Sequence, residues 1–476
     1  MIKNVRKKKP LPLLKNIEIS GIASEGKAIA RYEDMVIFVP FVAPGDVADI
    51  QVIKKRRNYL EGRAVFLHKS SRLRSEPFCE HFGICGGCKW QHLEYQHQLE
   101  FKQKQVIDHF ARIGKLDFPD PEPILPSYRT RNYRNKLEFT FTNRRWLTDQ
   151  EIDAGNVITE SRAVGFHIPG RFDKVLDIKT CYLQEEPSNS IRLAVKNYAI
   201  ENDLGFFDLL KQNGFLRTLI IRTSSTGEVM VILVFSYDDK RLSEPLLTYL
   251  SESFPGITSL MYVINPKAND TITDLDVDLF SGRDYIIEEM EGLKFKVGPK
   301  SFYQTNSLQA FELYKIVREY AFPRKHEVIY DLYTGTGTIA AFIARHCDRV
   351  YGFEYVPESV QDAIFNAKIN KLANTGFYSG DIKDLLTPGF IEKNGSPHTI
   401  ITDPPRTGMH PEVVEKILEI SPSRIVYVSC NSATQARDIQ LMSDKYVVEK
   451  LKAVDMFPHT QHIENVALLL KRQNSI

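Results

Sequence analysis

The 476-residue chain has no apolar run approaching the roughly 18 residues a membrane helix needs, so no membrane span is expected. Its N-terminal stretch, MIKNVRKKKPLPLLKN, has a short Pro-broken apolar segment and no small-residue cleavage site. It does not read as a secretory signal, and a cytoplasmic location is expected. Internal repeats and low-complexity segments are absent. Net charge is also scarce, at +2, but it is unevenly spread: residues 1–74 hold sixteen Lys/Arg against seven Asp/Glu, a local +9 that leaves the other 402 residues at 2 − 9 = −7. That asymmetry suggests a front end that binds a polyanion, although a solvated basic tail gives the same count. With 43% hydrophobic and 26% charged residues the chain is a globular one, too long for a single core, and three domains are expected.

Residues 13–72 alternate apolar and polar positions in short stretches (KAIARY, MVIFVPF, DVADIQVIKK, LEGRAVFLH) broken by Gly, Pro and Asp, the pattern of a small antiparallel β-barrel. Its basic run Lys54-Lys55-Arg56-Arg57 stands beside Tyr59, where cations can track phosphates next to an aromatic. A cysteine cluster follows at 79–88, then a helical pattern from about Glu94 to Ile113. Between 127 and 290, strands such as KLEFTFT, LRTLIIRT, EVMVILVFS and SLMYVINP predict an α+β insert. From about 299 onward, apolar strands (EVIYDLY, DRVYGFEYV, HTIITDPP, RIVYVSC) alternate with helices, which predicts a parallel, doubly wound α/β sheet with its ligands beyond the carboxyl ends of the strands.

The segment EVIYDLYTGTGTIAAFIARH reads strand, Gly-rich turn, helix, with Gly335 and Gly337 in the turn. Thr338-Ile339-Ala340 follows where a dinucleotide fingerprint would place a third glycine, so a phosphate-free adenosyl ligand fits better than a nicotinamide cofactor. Glu354 ends the next strand and can accept from ribose hydroxyls, Asp381 can take an adenine amino group, and Asp403 closes the pocket after the fourth strand. Each carboxylate alone is an ordinary cap or turn residue, but three at successive strand ends point to a ligand. Cys430, after RIVYVS and before a predicted helix, stands at the same edge. A helix N-terminus favours its thiolate, the nucleophilic form. Cys347, inside a predicted helix, reads as core. The stretch DMFPHTQHIENVALLLKR supplies His459, His462 and Glu464 as candidate bases.

The segments SFYQTN, DLYTGTGT, DPPRTGMH, YVSCN and DMFPHTQHIE, in this order and spacing, resemble the RNA (uracil-5-)-methyltransferase family, and the front end resembles its 23S ribosomal RNA branch. The resemblance implies a TRAM-type barrel over 1–73, a central α+β domain over 74–298 with helix 94–113 packing on the C-terminal domain, and a Rossmann-like methyltransferase domain over 299–476. It implies S-adenosylmethionine as cofactor, Cys430 as nucleophile, Glu464 as general base, and a cofactor pocket of Gln304, Tyr333, Glu354, Asp381 and Asp403. Such an enzyme needs a thiol because carbon 5 of uracil is weakly nucleophilic until a thiolate adds to carbon 6, after which a base must remove the carbon 5 proton. Thr334 and Thr338 depart from the Cys and Asn of many family members, which leaves the backbone of Gly335 and Gly337 as the contact expected from that turn.

Cys79, Cys85 and Cys88, with Gly86-Gly87 between the last two, place three soft ligands in one loop. A disulfide does not suit a cytosolic protein, and the spacing itself does not separate zinc from iron and sulfur. The resemblance selects a [4Fe–4S] cluster with Cys181 as fourth ligand, filled entirely by protein and hence structural.

The run YRTRNYRNKLEFTFTNRR interleaves Arg129, Arg131, Arg134, Lys136, Arg144 and Arg145 with Tyr128, Tyr133, Phe139 and Phe141, which suits RNA, while Phe139 and Phe141 read as buried. The expected activity is methylation of a uridine in 23S ribosomal RNA by a monomer. The T-loop uridine of transfer RNA is the nearest alternative. A nicotinamide-dependent oxidoreductase and a noncatalytic RNA-binding iron–sulfur protein are the other classes. The first is disfavoured by the missing third glycine and the Cys430/Glu464 pair, the second by an intact cofactor pocket and nucleophile.

Overall fold

A computed structural model describes residues 11–23, 25–155 and 160–473. Lys3, Arg6, Lys7, Lys8 and Lys9 of the basic front end lie outside the described residues. The chain forms two compact units, Met1–Gln105 with Phe457–Gln461, and Val106–Met456 with His462–Ile476. No helix among the described residues is long and apolar enough to cross a membrane.

The first unit contains the expected barrel. Strands Leu13–Ile22, Ala28–Tyr32, Met35–Val39, Tyr59–Lys69 and Val47–Lys55 close on themselves in that order. Period-two alternation turns Ala48, Ile50 and Val52 inward with Ile19, Ala30 and Ile37, and these fill the barrel. The run Lys54–Arg57 falls on the exposed hairpin between the last two strands, and Tyr59 packs edge-on against Phe38. Beyond the barrel, turns carry the cysteine loop to a small core around Trp90 and Leu93, where the Lys89 and Trp90 N–H groups donate to the His459 carbonyl at 2.8 and 3.0 Å. His459 is buried there and bracketed by Gln98, whose Oε1 accepts from its N–H at 2.9 Å.

The second unit holds two large sheets. Seven strands form the first, in the order Asp278–Gly282, Ile257–Ile264, Val229–Phe235, Leu216–Thr223, Lys136–Thr142, Ala163–Ile168, Arg171–Asp177. Its central strands, LRTLIIRT and VMVILVF, are buried almost throughout. The second sheet runs Thr375–Ser379, Arg349–Glu354, Val328–Leu332, Thr399–Thr402, Arg424–Ser429, Glu464–Lys471, Tyr446–Val454, Glu122–Leu125. Its first five strands are parallel, and Glu464–Lys471 is antiparallel to both neighbours. Strand order reverses between Val328–Leu332 and Thr399–Thr402, which opens a crevice at their carboxyl ends.

The helix Tyr95–His109 continues as a π-helical turn, Phe110–Gly114, which packs against helix Ser432–Met442, and Val106 and Phe110 enter the core of the second sheet. Glu122–Leu125 then adds an edge strand to that sheet. Residues 106–125 therefore pack with the doubly wound region.

Candidate active site

Sheet topology assembles the site. Tyr333, Asp403 and Cys430 each follow the last residue of a parallel strand, and Glu354 ends a fourth. The antiparallel ladder pairs Ser429 with Asn465, so one further step of the same register sets Cys430 opposite Glu464. Residues far apart in sequence thus become cross-strand neighbours.

Their environment changes the chemistry expected of the thiol. Cys430 is half-buried, and burial, with the Glu464 and Asp403 carboxylates beside it, pushes its pKa up to about 11. A lowered value was expected from the helix N-terminus, but one dipole end does not offset burial next to two carboxyls. The positive charge of Arg406 opposes the rise. Glu464, 4% exposed, is also pushed well up by burial and by Asp403, and Asp403 to about 7 by burial and by Asp331. The site therefore favours the protonated form of both its nucleophile and its base.

In the Gly-rich turn, Gly335 and Gly337 adopt φ of +55° and +75°, and a Cβ on Gly337 would lie 2.9 Å from Ala363 and 3.0 Å from Phe377. A Cβ on Gly335 would meet nothing within 4 Å, so that side of the turn is an open cradle. Glu354 braces the turn, accepting from Gly335 N–H at 3.0 Å and from Val356 N–H at 2.9 Å. Asp331, fully buried, accepts from Thr334 Oγ1 at 2.5 Å, while its Oδ1 has no hydrogen-bond partner. An orphaned carboxylate oxygen beneath an open Gly cradle suits a ligand with donor groups, such as the amino acid end of S-adenosylmethionine. A cavity of about 690 Å³ lies nearby, lined by Tyr333, Tyr355, Asp381, Ile382, Pro405 and His410 among others. Tyr333 and Asp381 are the two of the seven expected cofactor residues that line it. Asp381 also caps the short helix Ile382–Leu385 through Lys383 N–H, so its cap and ligand readings are compatible. Gln304 is buried, its carbonyl accepting from Asn135 Nδ2 at 2.9 Å.

Other expectations sort by burial. Cys347 is core, its thiol pushed up to about 12 by burial. Phe139 and Phe141 are buried, as is Tyr133, which was expected to face RNA. Arg144 and Arg145 pair with Asp208 and Glu151, while Tyr128, Arg129 and Arg131 face outward. Cys79, Cys85 and Cys88 are half-buried, but among the described residues no group of three or more His, Cys, Asp or Glu side chains is placed to hold a metal ion. The side chains as they stand do not form a closed metal site. Arg406 and Asp331 were missed in sequence, although both lie in the motifs DPPRTG and DLYTGTG.

Family models agree with this arrangement. One described as tRNA (uracil-5-)-methyltransferase matches residues 391–473, a TRAM domain model matches 15–65, and a methyltransferase domain model matches 323–403. A protein of Bacteroides thetaiotaomicron described as an uncharacterized RNA methyltransferase is 58% identical over 94% of this chain and 99% of its own. Another so described, from Porphyromonas gingivalis, is 55% identical over 96% and 99%. The crystal structure of Pyrococcus abyssi tRNA (uracil-54, C5)-methyltransferase in complex with S-adenosyl-L-homocysteine superposes with a TM-score of 0.73 at 28% identity, covering 95% of this chain and 99% of that one. With its TRAM barrel, its doubly wound sheet and a cysteine facing a glutamate at that sheet's edge, the chain belongs to the RNA (uracil-5-)-methyltransferase family.

Proposed function

We propose that this enzyme methylates carbon 5 of a uridine in 23S ribosomal RNA through a covalent adduct between Cys430 and carbon 6 of the base. The observation that carries the reading is the nearness of Cys430 to Glu464, each one residue beyond the last ladder pair Ser429–Asn465, with the carboxyl acting on the thiol. S-adenosylmethionine supplies the methyl group when bound, and Gln304, Tyr333, Gly335, Gly337, Glu354, Asp381 and Asp403 are the residues proposed to hold it. Cys430, once deprotonated, adds to carbon 6 and makes carbon 5 nucleophilic. Glu464, once ionised, removes the carbon 5 proton, and the sulfur leaves. Burial of both groups excludes water from the adduct. Their raised pKa values delay ionisation until substrate is in place. The enzyme acts as a cytoplasmic monomer.

Tyr128, Arg129, Arg131 and the Lys54–Arg57 hairpin are the proposed RNA contacts, because they remain exposed. A second reading, methylation of the T-loop uridine of transfer RNA, is favoured by the Pyrococcus enzyme. That protein is a tRNA (uracil-54, C5)-methyltransferase and aligns with 95% of this chain, so the overall architecture does not by itself select ribosomal RNA. Nucleoside mass spectrometry of both RNAs from a deletion strain separates the readings. Loss of 5-methyluridine from 23S RNA is expected, and loss from transfer RNA alone would move the substrate.

A structural [4Fe–4S] cluster on the loop of Cys79, Cys85 and Cys88 is also proposed from thiol spacing and family resemblance alone, since these side chains form no metal site as they stand; no catalytic step depends on it. Anaerobically purified protein should be brown and contain iron and sulfide. Colourless protein with stoichiometric zinc would overturn this.

A further inference from the structure

The ladder between the strand of Cys430 and the strand of Glu464 ends at Ser429–Asn465, so both reacting residues stand one step beyond the last backbone pair that joins them. On its far side Glu464 still pairs with Val454, which leaves the open end of the sheet between nucleophile and base. Ladder ends fray, and a fully buried pair of side-chain amides lies at this one. Gln435, in the first turn of helix Ser432–Met442, donates from Nε2 to the Tyr427 carbonyl at 2.8 Å and the Asn465 carbonyl at 3.2 Å. Its Oε1 accepts from Asn465 Nδ2 at 2.7 Å. Gln435 N–H donates to the Asn431 carbonyl at 3.1 Å, and Ser429 Oγ bonds the Asn431 N–H and carbonyl at 3.0 and 3.1 Å. One glutamine thus joins the strand of the nucleophile, the turn that presents it and the strand of the base. Two carbonyls fix which end of the Gln435 amide donates, and turning the Asn465 amide over would set oxygen against oxygen. The pair is also costly. Asn465 is a poor strand former in a strand that continues Val-Ala-Leu-Leu-Leu, and among the described residues its buried Oδ1 finds no partner. An aliphatic residue there would avoid that cost.

We propose that Gln435 and Asn465 are positioning residues, a buried amide clamp that holds the Glu464 strand against the Cys430 turn so that the carboxylate meets the carbon 5 proton of the adduct. The inference rests on the uracil reading above. Addition needs Cys430 and the base, and the turn around Cys430 is fixed by Ser429 and Asn431. Elimination needs more, because Glu464 must reach a hydrogen on a ring tethered to Cys430 through sulfur, and any error in the spacing of the two strands enters this step directly. In it the carbon 5–hydrogen bond breaks and the proton goes to the carboxylate. The electron pair left behind re-forms the carbon 5–carbon 6 double bond, and the carbon 6–sulfur bond breaks with its pair on sulfur. Neighbours on a strand face opposite ways, so with Asn465 turned to the helix the clamp stays clear of the reacting atoms. Its loss slows elimination and leaves addition and methyl transfer in place.

Two measurements on the full-length enzyme test this. The first needs no RNA. In Glu464→Cys, a glutathione buffer should oxidise the introduced thiol and Cys430 to a disulfide, identified by peptide mass spectrometry, and adding Gln435→Met should lower its effective concentration about tenfold. The second follows methyl-labelled donor through a single turnover. Gln435→Met and Asn465→Leu should each form the labelled RNA–protein adduct within about twofold of the unsubstituted rate and release it about tenfold more slowly. Each single substitution strands a buried polar partner and lowers the melting temperature, whereas the double variant, apolar on both sides, should regain most of that stability. Its adduct should still persist. A double variant that recovers release together with melting temperature would make the pair a packing feature and overturn the proposal. A disulfide that forms equally with and without the Gln435 amide, or fails to form with both amides present, would overturn it as well. If the disulfide weakens as expected in a chain that makes no 5-methyluridine, the clamp stands and the uracil reading falls.

Discussion

Cys430 holds its proton at rest, and that sets the pH dependence of the enzyme. Since the thiol is pushed up to about 11 and reacts as thiolate, kcat/KM should rise close to tenfold per pH unit between about pH 6 and 8. A flat profile over that range in initial-rate measurements would contradict a rate-limiting ionisation. Position and residue type made Cys430 legible in sequence, but its electrostatics were not, because Asp403 and Glu464 reach it through strand pairing rather than through neighbouring positions. Asp331 carries a stability prediction. Burial raises its carboxyl from 3.8 to about 7, so the folded chain keeps this proton at a pH where the unfolded chain has lost it. Its contribution is fully present below about pH 4 and is lost as pH rises through about 7. Asp331→Asn should therefore reduce the fall in melting temperature between pH 5 and pH 8 relative to the unsubstituted protein. An equal fall in both would show that Asp331 is ionised throughout.

The element that organises the site is helix Ser432–Met442, which anchors the Asp403–Met409 loop through Asp438. That carboxylate accepts from Tyr427 Oη at 2.7 Å and Met409 N–H at 2.8 Å, and Arg437 lies against its other oxygen. Asp438→Ala strands two buried donors, at a cost of about 2–4 kcal/mol in chemical denaturation, and should depress kcat more than KM because the loop it frees carries Asp403 and Arg406. A stability loss with kcat unchanged would mean that the loop holds its shape without this contact. The strands of the parallel sheet, the Gly-rich turn and the barrel were legible because their patterns are local: period-two alternation, glycine between a strand and a helix, and turn residues at short intervals. The edge strand Glu122–Leu125 was not, since four residues with one Pro carry no period and the strand is defined by its partner. Tyr133 was misplaced for a similar reason. Among alternating Arg and aromatic residues, sequence does not reveal which ring turns inward.

Across the whole molecule, charge separates a basic front end from a slightly acidic remainder, and the barrel shows where part of that excess is displayed. Lys55, Arg56 and Arg57 stand exposed on a hairpin of the first unit, and none of them is a proposed reacting group. Replacing all three by Glu should weaken RNA binding and reduce the slope of log affinity against log salt by up to about 2, with single-turnover methylation at saturating RNA unchanged. An unchanged slope would remove the hairpin from the RNA interface. The family and its reaction class were legible from motif order. The RNA target was not, because the segments that carry the resemblance surround the reacting base and contain no readout of the RNA around it. The covalent reaction is tested most directly by incubating Glu464→Gln with RNA and methyl-labelled S-adenosylmethionine and resolving the products by denaturing electrophoresis. A labelled RNA–protein band should accumulate with Glu464→Gln and be absent with Cys430→Ala. Methylated RNA released by Glu464→Gln at the unsubstituted rate, or made at all by Cys430→Ala, would contradict it.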